Sequence, residues 1–309
     1  MKKNLFRKCA AMVACAAMSM MMVTGCNSNT AGNNATDGTT TGSNAASTQQ
    51  AEQETTKTAE ADKKLSGTIS LAGSTSMQKL ADALAETFME ANSGVTVTVE
   101  YSGSSAGIES LLNGSCDIGD ASRNLKDSEK SGGAVENIVA IDGIAVIVDK
   151  NNTVAGLTKQ QLSDIYTGAV TNWSEVGGAD APITVYTRED GSGTREVFVE
   201  KALKKGPIVA SANVVNSNGA MKTAIGQDKL GIGYVGIGHV DKSVAALTFD
   251  KMVPSQENAA SGAYPLTRLL YMNTKGAPSG LTKAFIDYIY SPEGSAIIEK
   301  SGYIPTGRK

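Results

Sequence analysis

The pattern of apolar and polar positions changes character twice along the chain. An Ala- and Met-rich apolar run covers residues 9–23, behind a short basic stretch with Lys2, Lys3, Arg7 and Lys8. Over residues 27–64 large apolar side chains almost vanish, and Asn, Ser, Thr, Gly, Ala, Gln and Glu make up the sequence. From Leu65 the periodicities of a folded protein begin. Residues 67–72 have the length of a buried strand. Met77, Leu80, Leu84, Phe88 and Met89 then recur on one helical face through Asn92. Residues 95–101 alternate as a strand, a small-residue turn follows at 102–107, and a short helix runs through Leu112. The long apolar run at 138–148, broken by Asp142-Gly143, predicts a strand that passes from one lobe towards another. Helices are expected at 158–166, from Thr194 through Ala202, at 281–290 and at 292–301. Strands are expected at 183–186 and 231–235, with a further apolar segment at 266–272. Strand, loop and helix in repeated order argue an α/β architecture, and no repeat of solenoid length is present.

The first two segments read as an address and a tether. A basic stretch followed by an apolar run has the form of a secretory signal, and the run is too short for a good membrane span. The other reading is a retained anchor helix. The run ends in Val23-Thr24-Gly25-Cys26, which resembles a bacterial lipobox. That resemblance implies cleavage before Cys26 and lipid on its thiol, palmitate included; several acyl chains on one residue hold firmly to a membrane. Loss of residues 1–25 removes four positive charges and no negative ones, taking the formal charge from −3 to −7. Residues 26–64 cannot bury enough surface to offset their ordering entropy, so they are read as a flexible linker.

Composition excludes several functions. Aromatics are 5% of the chain and its charge is negative, which argues against a nucleic-acid partner. Of the four cysteines, Cys9 and Cys15 lie in the N-terminal apolar run, Cys26 ends it, and Cys116 is read as a small buried residue without a disulfide. His239 is the only histidine and carries no orienting motif, so a Ser-His-Asp triad and a zinc site both lack parts; His239 is read as structural. Gly191-Ser192-Gly193-Thr194-Arg195-Glu196 lacks the third glycine of a dinucleotide fingerprint, and no phosphate-loop lysine is present. No cofactor is expected.

Three loops share one grammar: Gly73-Ser74-Thr75-Ser76, Ser102-Gly103-Ser104-Ser105-Ala106-Gly107 and Asp190-Gly191-Ser192-Gly193-Thr194. Each follows a strand-like run, is rich in Gly and Ser or Thr, and opens a helix. Any one alone reads as a capped helix. Helix N-termini offer free N–H groups and partial positive charge, and hydroxyls add donors. Three such ends converging would cage a tetrahedral oxyanion. Arg188 adds a fixed cation with a planar fork, unless an ion pair with a nearby acid occupies it. Arg195 and Arg123 rank lower, as a first-turn residue and a pairing residue.

Further motifs stand beside these loops: Ala121-Ser122-Arg123, Thr171-Asn172-Trp173-Ser174-Glu175-Val176-Gly177-Gly178, Gly231-Ile232-Gly233-Tyr234 and Tyr264-Pro265-Leu266-Thr267-Arg268. In this order they resemble the phosphate-binding proteins of bacterial phosphate ABC transporters over roughly residues 65–308. The element from Arg188 to Thr194 is the most specific. The resemblance implies a two-lobed periplasmic-binding-protein fold of type II with the ligand in the interlobe cleft. Lobe 1 would take residues 65–141 and 260–309, and lobe 2 residues 142–259. It implies inorganic phosphate as ligand, permease subunits of an ABC transporter as partner, and a monomer on the extracytoplasmic face of the cell membrane, anchored at Cys26. Carried over by position, Thr75, Ser76 and Ser104 would hold one side of the anion, and Arg188, Ser192, Gly193 and Thr194 the other. Some members place an Asp beside the anion to accept its proton. Here that place falls at Ser122, and Asp142 is favoured as the substitute, with Asp120 as the alternative. A surface phosphatase would need a nucleophile or metal that the sequence does not supply convincingly. An adhesin or sensor built on the same fold stays open at this point.

Overall fold

The computed structural model describes residues 64–307. The leader, Cys26 and all of the low-complexity stretch except Lys64 lie outside the described residues. Among the described residues no helix is long and apolar enough to cross a membrane.

The first strand, β1 (Ser66–Gly73), is followed by a 3-10 turn (Thr75–Met77) and helix α1 (Gln78–Ala91). Then come β2 (Gly94–Glu100), α2 (Ser104–Asn113), β3 (Ile118–Ala121), the short α3 (Asp127–Ser131) and β4 (Ala134–Val135). The long β5 (Ile138–Asp149) leads to β6 (Gly156–Leu157), α4 (Lys159–Thr167), β7 (Thr184–Arg188), α5 (Gly193–Lys201), β8 (Asn213–Val215) and α6 (Asn218–Gln227). The chain finishes through β9 (Gly231–Gly236), β10 (Val244–Ala246), β11 (Thr248–Phe249), α7 (Gln256–Ala260) and β12 (Thr267–Lys275). Helices α8 (Gly280–Ile289) and α9 (Pro292–Lys300) and strand β13 (Ile304–Pro305) close it.

One mixed sheet follows the order β2-β1-β3-β12-β5-β9-β7-β8, with β4, β10 and β13 paired at its sides; β6 and β11 form a separate pair. Its two ends are parallel: β1 pairs with β2 and β3, and β7 pairs with β8 and β9. Parallel neighbours need crossovers, which α1, α2, α5 and α6 supply. At the middle, β5 changes partners. Its residues up to Gly143 lie opposite β12, and from Ile144 onward they lie opposite β9. The apolar run at 138–148 is therefore one strand serving two halves of the sheet, as its length suggested.

Two large apolar cores flank that change of partner. One gathers Ile69, Leu84, Phe88, Leu270, Phe285 and Ile298. The other gathers Val146, Leu162, Tyr166, Phe198, Tyr234 and Leu266. Each such side chain contributes roughly 1.5–3 kcal/mol by leaving water. Edge-to-face packing of Phe88 on Phe285, with centroids 5.1 Å apart, ties α1 to α8. Phe198 stacks on Tyr234 at 4.0 Å and ties α5 to β9.

Periodicity alone does not reveal α6 or β8. Helix α6 buries only Asn218, Met221 and Ile225 among small and polar residues, so its apolar stripe has little contrast. Strand β8 is three residues long and mostly exposed at the sheet edge, too short for an alternation to register.

Helix α2 lies directly on the end of β1 at Gly107. A Cβ there would stand 2.4 Å from the Ala72 carbonyl oxygen and 2.5 Å from Gly73 Cα, both backbone. Gly107→Ala should therefore push α2 off β1. The expected cost is about 1–3 kcal/mol, typical of overpacking, read as a lowered denaturant midpoint. An unchanged midpoint would contradict this backbone contact.

Candidate functional site

Four strand ends deliver four helix starts to one place. Gly73 ends β1 before the turn that opens α1, Glu100 ends β2 before α2, Arg188 ends β7 before α5, and Val215 ends β8 before α6. The C-terminal edge of parallel strands gathers helix N-termini, with their free N–H groups, on one side. The loops bond to one another. Gly103 N donates to Gly73 O at 2.8 Å, and Ser105 N donates to Gly191 O at 3.0 Å. Ser76 Oγ and Thr194 Oγ1 are 2.7 Å apart. Asn218 Nδ2 donates to Thr75 Oγ1 at 3.1 Å and to Ser76 Oγ at 3.0 Å.

A second group of hydroxyls adjoins the first. Ser74 Oγ caps the turn by accepting from Ser76 N at 3.3 Å and donates to Ser122 Oγ at 2.9 Å. Ser122 N donates to Ser104 Oγ at 3.1 Å. All three side chains are buried. Gly193 faces this group so closely that a Cβ there would stand 2.5 Å from Ser104 Oγ and 2.9 Å from Ser122 Oγ. Only glycine lets the start of α5 approach the serines, which gives the Gly193 of the motif a steric reason.

Two guanidinium groups reach the hydroxyls. Arg188, 2% exposed, donates from Nε and Nη2 to the two oxygens of Glu189, at 2.9 and 2.7 Å. Its Nη2 also reaches Thr75 Oγ1 at 3.2 Å and Asn216 O at 3.3 Å, while Nη1 is buried without a hydrogen-bond partner. Tyr234 sets the end of β7: its hydroxyl accepts from Arg188 N at 3.1 Å and shares a 2.9 Å bond with Thr187 Oγ1. Burial pushes the Tyr234 phenol up to about 12, so it stays protonated. Arg268 donates from Nη1 to Thr194 Oγ1 at 2.7 Å, and from Nε and Nη2 to Asp142 Oδ2 at 3.2 and 2.7 Å. Burial pushes the Asp142 carboxyl up, and Arg268 opposes that shift.

Thr75, Ser76, Ser104, Ser122, Arg188 and Thr194 thus belong to one hydrogen-bonded set, with Gly193 packed against it. Ser192 caps α5 by accepting from Arg195 N at 3.3 Å. Asp142 joins the set through Arg268. Asp120 lies fully buried in β3, and neither carboxylate oxygen has a hydrogen-bond partner; burial pushes its carboxyl well above the usual range. Arg123 pairs with Glu129 at 2.7 Å and approaches Glu196 at 3.1 Å, and Arg195 pairs with Asp190. Asn218 and Arg268 are the members that sequence reasoning passed over as site residues. Arg268 closes the Tyr264 to Arg268 motif, which was itself a usable signal. Asn218 follows a Ser at a helix start, where it reads as ordinary capping chemistry. Among the described residues no group of three or more His, Cys, Asp or Glu is placed to hold a metal ion.

His239 holds the first loop from outside the set. Its Nε2 is 3.2 Å from Ser76 O, and Tyr303 OH donates to the same oxygen at 2.7 Å. A carbonyl only accepts, so Nε2 carries the proton in this bond. Burial lowers its pKa from 6.5 to about 4. The unfolded chain therefore takes up this proton at higher pH than the folded one. The stability tied to neutral His239 is complete above pH 6.5 and drains away as pH falls towards 4. The loss should total about 3 kcal/mol. Denaturation of the wild type and of His239→Asn over that range checks this: the variant should lose stability less steeply, and equal slopes would refute it.

Comparison with known proteins agrees with this geometry. The model of the PBP superfamily domain matches residues 29–293. The phosphate-binding protein PstS of Bacillus subtilis is 36% identical over 251 residues, 80% of this chain and 83% of its own. PstS of Pseudomonas aeruginosa is 30% identical and covers 79% of this chain and 85% of its own. A structure from Clostridium perfringens with bound phosphate, assigned to a phosphate ABC transporter substrate-binding protein, superposes with a TM-score of 0.75 at 39% identity. It covers 78% of this chain and 100% of its own. An ABC-type phosphate transport receptor from Vibrio cholerae gives 0.66 at 37% identity, covering 77% and 100%. The β5 crossing, the two cores and the gathered helix starts are those of a two-lobed periplasmic-binding-protein fold, and the chain belongs to the PBP superfamily and, within it, to the PstS family of phosphate-binding proteins.

Proposed function

We propose that this protein captures inorganic phosphate in the ring of hydroxyls and N–H groups and delivers it to the permease of an ABC importer. The observation that carries the reading is the unspent Nη1 of buried Arg188, beside hydroxyls from converging helix starts. A buried cationic donor without a partner is costly, and an oxyanion with several acceptor oxygens removes that cost. In this reading Thr75, Ser76, Ser104, Arg188, Ser192, Gly193 and Thr194 contact the anion. Ser122, a neutral hydroxyl, stands where some members carry an acid. Asp142 acts by fixing Arg268 against Thr194. Lobe 1 comprises residues 65–141 and 260–309, lobe 2 residues 142–259, and closure of one on the other encloses the ligand. Membership of the two cores supports that division except at Tyr264 and Leu266, which fall within 260–309 but pack in the second core. The protein is read as a monomer, and the lipobox-like Val23-Thr24-Gly25-Cys26 with the linker behind it supports attachment to the extracytoplasmic face of the cell membrane by lipid on Cys26.

Isothermal titration tests the ligand. Phosphate should bind saturably with one site per chain, and heat with sulfate but not phosphate would overturn the reading. Arg188→Ala should weaken phosphate binding by about 100-fold or more, because charge-assisted bonds in a dry site are lost. Its far-ultraviolet spectrum should stay that of the wild type.

A further inference from the structure

The hydrogen-bond polarity of the ring has an identifiable source. Asn218 is fully buried at the first position of α6. Its Oδ1 accepts from Gly236 N at 3.0 Å. A backbone N–H only donates, so this bond fixes which end of the amide is oxygen. The Nδ2 end then faces Thr75 Oγ1 and Ser76 Oγ, at 3.1 and 3.0 Å.

The consequence runs through both hydroxyls. Thr75 Oγ1 also receives Arg188 Nη2, and Asn218 N lies 3.4 Å from it. Donors from the protein occupy the lone pairs, and the Thr75 hydrogen is left to point elsewhere. Thr194 Oγ1 accepts from Arg268 Nη1, which cannot act as an acceptor. Ser76 Oγ accepts from Asn218. One bond joins Ser76 and Thr194 in either direction, and either way one O–H of the pair is left over. A ligand therefore meets the hydrogens of Thr75 and of the Ser76–Thr194 pair, together with Arg188 Nη1.

We infer that Asn218 is a specificity-determining positioning residue: its amide, locked by Gly236 N, turns the Thr75 and Ser76 hydroxyls into donors and so makes this side of the site selective for unprotonated, acceptor oxygens of the ligand. The inference rests on the phosphate reading above and deepens it. An aspartate has the same shape and the opposite polarity. With a carboxylate at 218, one oxygen would still accept from Gly236 N, while the other would draw the Thr75 and Ser76 hydrogens away from the ligand. Protonation would restore a donor at that oxygen. The charged and titratable groups around the position are Arg188 on β7, through Thr75, and Arg268 on β12, through Thr194. Asp142 on β5 faces Gly236, and His239 is bonded to Ser76 O.

Phosphate titrations of the wild type, Asn218→Asp and Asn218→Ala at about pH 8 and about pH 5 test this, since a buried carboxyl titrates within that window. Each variant is referred to the wild type at the same pH, and thermal melts confirm that it is folded. Asn218→Asp should bind about 100-fold more weakly at the higher pH and recover to within about 10-fold at the lower, the scale of a buried polar mismatch. Asn218→Ala should be weakened by the same factor at both. A folded Asn218→Asp with wild-type affinity at the higher pH, or with a loss that does not recover, would overturn the inference. Failure of the wild type to bind phosphate would instead remove the functional reading.

Discussion

A guanidinium carries five N–H donors and no acceptor, so burying one dictates what must surround it. Arg188 and Arg268 are both buried where the loops meet. Arg188 spends Nε and Nη2 on Glu189, and Arg268 spends Nε and Nη2 on Asp142. Each then reaches one threonine hydroxyl, Thr75 or Thr194. One acid per cation holds off most of the desolvation cost that an isolated buried charge would carry. Neither acid contacts the ring hydroxyls, so the ring keeps its donors. The serines, the glycine at 193 and the amide at 218 are arranged around that condition.

The rest of the fold keeps these groups where the condition holds. Tyr234 fixes the backbone of Arg188 through its hydroxyl, and its ring is fixed in turn by Phe198 at 4.0 Å and Tyr166 at 6.0 Å. The apolar core behind β7 is thus connected to the position of a cation by one phenol. On the opposite side Ser76 O takes bonds from Tyr303 and His239, which come from the chain terminus and from the turn after β9. Residues distant in sequence therefore hold one turn of four residues. Such a network fails in part when any member is lost, because the remaining polar groups stay buried and unpaired.

Much of this was legible in the sequence, and the illegible part has a common physical cause. Strand β5 declared itself by length and apolarity, and α1 by its stripe from Leu80 to Phe88. The three Gly- and Ser-rich loops declared themselves by composition, since close backbone approach and hydroxyl donors leave few alternatives to those residues. Arg188 was visible for the same reason. What the sequence did not reveal was pairing between distant residues. Nothing near Asp142 signals that its partner is Arg268, 126 positions on. Nothing near Asn218 signals that Thr75 and Ser76 are its acceptors. On sequence, Asp142 on the crossing strand is favoured as proton acceptor because Ser122 stands where some family members carry an Asp. Its Oδ2 accepts from Arg268, a partner that the sequence does not announce. Short elements such as α6 and β8 went unread because burial of three side chains, or pairing of three residues, leaves no periodic trace.

The balance of charge also limits how an anion can be recognised here. The whole chain carries a formal charge of −3, so its long-range field does not draw anions in. Arg188 and Arg268 are each matched by an acid, so the site holds no large excess of positive charge either. What remains is short-range: oriented hydroxyls, first-turn N–H groups and one leftover guanidinium nitrogen, all shielded from water. Hydrogen bonds of this kind are sensitive to the number and direction of acceptor oxygens and to little else beyond them. Buried interactions are also screened weakly by salt, in contrast to a surface cluster of lysines. A protein that must take a small oxyanion from dilute solution, among many other anions, is better served by donors of fixed direction than by a diffuse positive patch that would attract all of them.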